Sequence, residues 1–221
     1  VSLAHHGVLF LDEFPEFNPQ VLDSLRQPME TGDCMIARAN HRITYPARFQ
    51  LVAAMNPCRC GRAGEPGFTC LRGPRCQSDY QARISGPLMD RIDLRVDVPA
   101  VTPADLIRPH KPETSADVAA RVAQAREVQR TRFAAAGLHM LSTNAQCSPS
   151  MIESIAEPDA AGLKLLSDAS DHLKLSARAY HRILKVARTL ADLDGEDRVG
   201  RIHLAEAISY RLPSDRLLAA A

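Results

Sequence analysis

The stretch Gly7-Val-Leu-Phe-Leu-Asp-Glu13 decides the fold class. Its continuous apolar run, Val8–Leu11, is typical of a central parallel strand that is buried on both faces. Asp12 and Glu13 follow at once. Ligands of open α/β sheets bind beyond the carboxyl ends of the strands, and adjacent carboxylates are costly to bury unless a cation or a proton-transfer role offsets them. We therefore expect a parallel sheet with an acidic site at its edge; the alternative is an ordinary turn after a strand.

Further strands are predicted downstream of this stretch. Phe49–Met55 is a second apolar run, which predicts another buried strand, and it ends at Asn56. Between the two runs, Cys34–Arg38 and Arg42–Tyr45 flank the segment 39–41, Ala-Asn-His. Because asparagine tolerates the positive φ of a tight turn, these segments predict a β-hairpin.

The remainder of the chain has helical patterns. Asn18 followed by proline is typical of a helix start, and we expect that helix to break near Pro28 and Gly32. Four prolines, at positions 99, 103, 109 and 112, predict a linker over 99–114. Beyond it we expect an all-α part over 115–221. Its predicted helices are Thr114–Ala136, one starting at Ser148-Pro149, Pro158–Leu173, Ser176–Leu193 and Arg201–Leu212.

Composition and charge narrow the classes of protein. The 221 residues are 45% hydrophobic and 24% charged, as in globular proteins, and no apolar run approaches the roughly 18 residues of a membrane span. Val1–His6 lacks the pattern of a signal peptide, so we expect a cytoplasmic protein without membrane association. The net charge is +1, yet residues 38–83 hold eight arginines and two acids. This basic segment is a candidate anion-binding surface, with an ordinary solvated face as the alternative.

Four cysteines predict a metal site. Cys58, Cys60, Cys70 and Cys76 fall within nineteen residues. Four thiolates complete a closed tetrahedral Zn²⁺ site and leave no open position for catalysis, so the zinc would be structural. The glycine- and proline-rich segment between them has too few apolar groups for a core of its own. The alternative is four reduced thiols in a disordered insert.

Four motifs in order carry a family resemblance. Together they resemble the magnesium-chelatase-type branch of AAA+ ATPases, and within it the ComM/YifB family. The motifs are GVLFLDEFPEF from Gly7, LRQPMETG from Leu25, LVAAMNPC from Leu51 and SGPLMDRIDL from Ser85. The resemblance extends from Val1 to about Leu212. The chain lacks the G-x-x-x-x-G-K-[ST] loop, which lies upstream of these motifs in the family, so we expect it to be the C-terminal part of a longer protein.

The resemblance implies a partial AAA+ P-loop core over 1–98, with a hairpin and a zinc insert, followed by a helical lid over 115–221. It matches Asp12 and Glu13 to the Walker B pair, which forms the Mg²⁺ site; the aspartate holds the ion and the glutamate polarises the attacking water. It matches Asn56 to sensor 1, which would help to place that water. For Asn56 the alternative is a turn-forming residue before proline.

The resemblance also assigns two arginines and an assembly. Arg91 matches the arginine finger, which acts on the nucleotide of a neighbouring subunit; the alternative is an ion pair with Asp90 or Asp93. Arg178 matches the sensor-2 arginine that reaches the γ-phosphate; the alternative is a surface helix residue. The implied cofactors are ATP and Mg²⁺, beside the structural Zn²⁺. The implied assembly is a homo-oligomeric ring, a hexamer.

The predicted hairpin tip holds Arg38, Asn40, His41 and Arg42. In the resembling clade a hairpin before sensor 1 points into the pore of the ring, and in DNA-translocating members it touches the strand. Arginine and asparagine contact phosphates without reading sequence. The alternative is a hairpin that only packs against a neighbouring subunit.

The leading hypothesis is therefore an ATP-driven ring motor that acts on DNA, a helicase or branch-migration factor in recombination or natural transformation. A second hypothesis is the ATPase subunit of a magnesium chelatase, which inserts Mg²⁺ into a porphyrin. The cysteine cluster argues against this second hypothesis. A third is a fragment without ATPase activity of its own, because the phosphate-binding loop is absent.

Overall fold

The computed structural model describes residues 1–38, 41–62, 70, 72–73, 75–99, 101, 107 and 112–211. It separates into two compact units, Val1–Ile92 and Asp93–Ala221. The first unit mixes strands and helices, and the described part of the second is helical. The predicted combination of an α/β part and a helical C-terminal part is confirmed. No helix in the described ranges is long and apolar enough to cross a membrane.

The first unit is built on two parallel strands, β1 (Val8–Leu11) and β4 (Gln50–Ala53). Alternate side chains of β1, Leu9 and Leu11, pack against a core of buried residues. That core consists of Phe14, Leu22, Leu25, Ile84 and Leu88. The side chains between them, Val8 and Phe10, are 58% and 59% exposed. The predicted burial of β1 on both faces is thus wrong for the described residues, because this core covers only one face. The predicted burial of the second strand is wrong as well, since three of the four β4 residues are exposed.

Two short helices follow β1. In α1 (Pro19–Ser24) the Asn18 side chain accepts a hydrogen bond from the backbone of Gln20, which confirms the predicted cap. The helix is interrupted at Leu25, before the predicted break at Pro28. The second helix, α2 (Arg26–Thr31), begins directly afterwards. Pro28 thereby falls in the first turn of α2, where a missing N–H costs no helical hydrogen bond. Gly32 ends α2 with φ at 76°, as the predicted break requires.

The predicted hairpin is confirmed as β2 (Asp33–Arg38) and β3 (His41–Pro46), which pair antiparallel. His41, expected in the turn, is the first residue of β3. Ala39 and Asn40 lie outside the described residues. Every residue of β3 is exposed, so neither face of this strand is covered. After β4 the unit continues through α3 (Cys76–Gln81) and α4 (Gly86–Met89).

Unit 2 contains the predicted helices. They are α5 (Ser115–Ala135), α6 (Pro149–Ile155), α7 (Ala160–Leu173), α8 (Ala177–Asp194) and α9 (Arg201–Ser209). The side chains before α5, α6, α7 and α8, which are Thr114, Ser148, Asp159 and Ser176, each accept a backbone N–H of the following first turn. Buried residues of every helix form one core, among them Phe133, Ile152, Leu166, Ile183 and Leu204. Most of the predicted linker over 99–114 lies outside the described residues.

A buried polar cluster lies beside this core. Asp192 in α8 accepts hydrogen bonds from Arg188 at 3.0 Å and from the Asn144 side-chain amide at 2.8 Å, and it is ion-paired with Arg132. The guanidinium of Arg188 also donates to the carbonyl oxygens of Glu196 and Asp197. These contacts satisfy charges that would otherwise be costly to bury, and they tie the segment after α8 to the helix itself.

Candidate nucleotide and metal sites

The acidic pair lies at the carboxyl end of β1, and both residues are exposed. Glu13 has a left-handed backbone with φ 50° and ψ 44°, and its N–H donates to the Asp12 Oδ1 at 2.9 Å. The next residue, Phe14, donates its N–H to the carbonyl of Ala54 at 2.9 Å. Non-glycine residues in this conformation cluster at functional sites, where surrounding contacts hold them. The backbone conformation of Glu13 is therefore unfavourable by itself, and contacts with neighbouring residues maintain it.

Asn56 belongs to the same end of the sheet. Because β1 and β4 run parallel, with Leu11 opposite Ala53, the chain leaves both strands in the same direction. The Ala54 N–H donates to the Leu11 carbonyl at 2.9 Å, which extends the pairing past the strand ends. Asn56 follows two residues later and is exposed. The structure thus brings the acidic pair and Asn56 to one edge, as expected for neighbouring parallel strands.

Arg91 is buried, with a side chain that is 10% exposed. Its Nε and Nη2 donate to the Glu30 Oε2 at 3.2 and 2.5 Å, and its Nη1 donates to the Pro87 carbonyl at 2.7 Å. The sequence suggested Asp90 or Asp93 as an ion-pair partner, and the partner is Glu30 of α2 instead. Asp93 is paired with Arg182 of unit 2. Arg91 is thus held within its own unit.

Arg178 lies in the first turn of α8, in unit 2, and it is exposed. A basic stripe continues along the helix through His181, Arg182 and Lys185. His181 pairs with Glu153, and the Lys185 Nζ donates to the Ala145 carbonyl at 2.9 Å. Burial of the Lys185 ammonium lowers its pKa. The structure thus places Arg178 at a helix start, and its sensor-2 assignment stays a prediction.

The four cysteines converge. The Sγ atoms of Cys58, Cys60, Cys70 and Cys76 lie within 4.8 Å of one another. The distance between the Cys60 and Cys70 sulfurs is 3.3 Å, and that between Cys60 and Cys76 is 3.9 Å. Zn–S bonds of about 2.3 Å in a tetrahedron require sulfur separations of about 3.8 Å, so this donor set fits Zn²⁺. Cys58 and Cys76 are buried, which is typical of a closed structural site. Residues 63–69 of the predicted insert lie outside the described residues.

The neighbouring thiols affect one another. The hydrogen bond with Cys70, together with desolvation and the further contact with Cys76, raises the pKa of Cys60 to about 11. The Cys60 thiol therefore keeps its proton at neutral pH when no metal is bound. A metal ion has to displace that proton, since the thiolate is the form that coordinates.

Sequence reasoning missed a set of contacts beside the acidic pair. Glu16, in the short 3-10 turn Phe14–Glu16, accepts a hydrogen bond from Arg83 at 2.8 Å and lies 3.9 Å from the Nε of Arg59. The Tyr80 ring is 5% exposed, and burial, with the charges of Glu16 and Glu13, raises its pKa. Glu16 and Arg83 are 67 residues apart, so no local pattern could have paired them.

The hairpin places basic residues at the start of β3. His41 pairs with Arg38, and Arg42 pairs with Ala37. His41 and Arg42 are exposed, and as successive strand residues their side chains lie on opposite faces of the hairpin. Asn40 and the side chain of Arg38 lie outside the description. The start of β3 therefore offers one basic side chain to each face of the hairpin.

The comparisons with known proteins agree in one family. The family model described as magnesium chelatase, subunit ChlI, matches residues 1–106, and the model of its C-terminal part matches 112–211. The competence protein ComM of Haemophilus influenzae is 46% identical over 212 residues, which are 96% of this chain and 40% of that protein. The uncharacterized protein YifB of Escherichia coli is 44% identical over 219 residues, 99% of this chain and 41% of that protein.

The chain thus spans about 40% of the length of these curated relatives. The two family models follow each other along nearly all of it, in the order of the two units. The chain belongs to the magnesium-chelatase-type AAA+ family, with ComM and YifB among its relatives.

Proposed function

We propose that this chain is part of an AAA+ protein that hydrolyses ATP, with Asp12 and Glu13 as its Walker B pair. The observation that carries the proposal is the meeting of these carboxylates and Asn56 at the carboxyl ends of two neighbouring parallel strands. Asp12 would hold Mg²⁺, which neutralises phosphate charge when bound. Glu13 would polarise the attacking water and Asn56 would orient it.

The arginines extend this proposal to a ring, a hexamer. Arg91 acts as the arginine finger on the nucleotide of a neighbouring subunit, and for that its guanidinium exchanges Glu30 for a phosphate group. Both groups are anions that the planar fork of arginine matches. Arg178 acts as sensor 2 from the helical part, which is the lid in this proposal. The cysteine cluster holds a structural Zn²⁺, supported by its sulfur separations.

The motor acts on DNA in this proposal, as a branch-migration or helicase factor. The name of the competence protein ComM supports a role in transformation or recombination. The exposed start of β3, with His41 and Arg42, supports a backbone contact to nucleic acid. The competing hypothesis, an ATPase subunit of a magnesium chelatase, shares the nucleotide site and has no need of DNA.

The first test removes the charge of Glu13. In the full-length protein, Glu13→Gln should abolish ATP turnover and leave ATP binding intact, since glutamine keeps the shape and loses the charge that polarises water. Asp12→Asn should weaken the dependence on Mg²⁺. The control is Glu157→Gln, the same change at an exposed residue of unit 2. Steady-state hydrolysis and nucleotide binding are measured, and undiminished turnover in Glu13→Gln would remove the Walker B assignment.

The second test separates the DNA motor from the chelatase. Arg38→Ala with Arg42→Ala should weaken DNA binding and DNA-stimulated hydrolysis, with basal hydrolysis kept. The slope of log affinity against log salt should shrink by roughly 1 to 2, about one counterion for each phosphate contact. Arg126→Ala, at an exposed position of α5, is the control.

Binding is measured with the full-length ring and an ATP analogue at several salt concentrations. An unchanged affinity and slope in the double variant would take the hairpin out of the DNA path. Absence of DNA binding by the wild type would favour the chelatase hypothesis.

A further inference from the structure

The turn after the acidic pair is closed by Glu16, and Glu16 contacts two arginines that lie in or near the cysteine segment. The Glu16 N–H donates to the Glu13 carbonyl at 2.7 Å, so Glu16 closes the turn that begins at the strained residue. Phe14 and Pro15, between them, are buried. The position of Glu16 thus sets the backbone of Glu13 through one hydrogen bond and two anchored residues.

Of the two cations that contact Glu16, one lies within the cysteine segment and the other follows the helix that the last cysteine begins. Arg59 lies between Cys58 and Cys60. Arg83 lies two residues after α3, the helix whose first residue is Cys76. The distances from their guanidinium groups to the Glu16 carboxylate are 3.9 and 2.8 Å.

One further hydrogen bond and a buried ring place α3 at this corner of the unit. The Gln81 side-chain amide donates to the carbonyl of Pro57, the residue before Cys58, at 3.4 Å. The buried Tyr80 ring lies close enough to Glu13 and Glu16 for both charges to raise its pKa. The cysteine cluster, α3 and the Asp12–Glu13 turn are therefore one contiguous set of contacts within unit 1.

The ion pairs alone are too exposed to hold this geometry. The side chains of Glu16 and Arg83 are 37% and 32% exposed, and pairs of that kind contribute little unless their partners are already in position. A metal ion that joins Cys58 to Cys76 would supply that preorganisation, because it fixes the cysteines on either side of Arg59 and the first residue of α3, the helix that precedes Arg83. A left-handed Glu13 needs such support.

We propose that Glu16 is a positioning residue for Glu13, and that a Zn²⁺ ion at the cysteine cluster holds it through Arg83 and Arg59. The metal site then does more than stabilise its own segment, since its occupancy sets the geometry of the nucleotide site. This inference rests on the proposed Walker B and zinc assignments. Its test has readouts that do not depend on turnover.

The experiment compares variants of the full-length protein by zinc content, by amide hydrogen exchange over residues 12–17, and by kcat and KM for ATP. Glu16→Gln and Arg83→Gln should keep one zinc per chain, yet speed exchange over 12–17 by about two- to fivefold, the range of an exposed pair. The kcat should fall by a similar factor with KM for ATP unchanged, because positioning acts on the chemical step. Arg83→Lys, which keeps a cation, should restore part of the loss.

Cys70→Ser should lose the zinc and speed exchange over 12–17 at least as much as Arg83→Gln. Arg72→Gln, the same change at an exposed arginine of the cysteine segment, should do neither. Faster exchange in Cys70→Ser that is confined to residues 57–81 would overturn the coupling while leaving the zinc site in place. Equal exchange over 12–17 in Arg83→Gln and Arg72→Gln would overturn it as well.

The proposed function would be refuted by measurements other than those that would refute this inference. A wild-type protein without zinc would refute the metal assignment and, with it, the inference. Continued turnover in Glu13→Gln would refute the Walker B assignment, whatever the exchange data show.

Discussion

At the scale of single residues, Glu13 combines an exposed carboxylate with a left-handed backbone. That conformation costs a residue with a Cβ about 1–2 kcal/mol. The cost is offset by the contacts around it, in which the Phe14 N–H bonds across to Ala54 and the Glu16 N–H closes the turn. A glutamate at this position is unfavourable for stability, which agrees with a requirement for its carboxylate.

Arg91 is the second residue whose surroundings matter for the proposed mechanism. Its three hydrogen bonds to Glu30 and Pro87 occupy the guanidinium within one subunit. A finger that acts on a neighbouring subunit has to leave these partners. The arginine-finger assignment therefore stays a prediction, and it calls for a test that separates action between subunits from action within one.

Mixing of variants supplies that test. Full-length Arg91→Ala should lack ATP turnover, as should Glu13→Gln, because each removes one side of a shared site. A mixture of the two should recover part of the activity, since some interfaces then carry both intact groups. Hydrolysis is measured across mixing ratios. Each variant alone, at the same total protein concentration, is the control. If no ratio restored turnover, Arg91 would act within its own subunit or only structurally.

At the scale of elements, helices α5 to α8 start on side-chain caps, and two of them end on different residue types. The residue after α7 is Lys174 with φ 49°, and the residue after α8 is Gly195 with φ 73°. Both helices thus end in the left-handed conformation, which glycine adopts without steric cost and lysine does not. A Cβ at Gly195 would meet nothing within 4 Å, so only its backbone conformation opposes substitution.

These two helix ends form a matched pair for a stability measurement. Lys174→Gly should raise the free energy of unfolding by about 0.5–1 kcal/mol, because it relieves a left-handed residue with a side chain. Gly195→Ala should lower it by about 1 kcal/mol for the opposite reason. Denaturant unfolding of the full-length protein, followed by helical signal, checks both signs. Changes of the same sign in the two variants would contradict the explanation.

At the scale of the whole molecule, the two-stranded sheet leaves apolar surface exposed. Val8, Phe10 and Val52 are exposed to 58%, 59% and 39%, and Leu9 and Leu11 face the core instead. Within the described residues each strand pairs along one edge only. Soluble monomers rarely expose such surface, and unpaired edges promote association.

We therefore expect the 221-residue chain on its own to self-associate. Phe10→Asn should reduce that association, because it removes the largest exposed apolar group of β1 and leaves the core face unchanged. Leu163→Asn is the control, at an exposed leucine of α7 in unit 2. Sedimentation over a range of concentrations checks the expectation. A chain that stayed monomeric at every concentration would show that the exposed face does not drive contacts.

Much of the fold follows from local signals in the sequence. The apolar runs predict β1 and β4, and the polar residues before prolines or helical stripes predict the starts of α1 and α6. Such signals act over a few residues, because strand alternation, helix period and capping are properties of neighbouring backbone groups. The spacing of the cysteines likewise predicted their convergence, since a closed site needs only the right donors within one short segment.

The tertiary structure alone decided the partners of Arg91 and Glu16. Arg91 and Glu30 are 61 residues apart, and Arg83 and Glu16 are 67 apart. No local pattern records such pairs, because they depend on how α2, α3 and α4 pack around the sheet. The exposure of Val8 and Phe10 has the same origin. An apolar run reveals that a strand can be buried, whereas only the neighbouring elements determine which of its faces is covered.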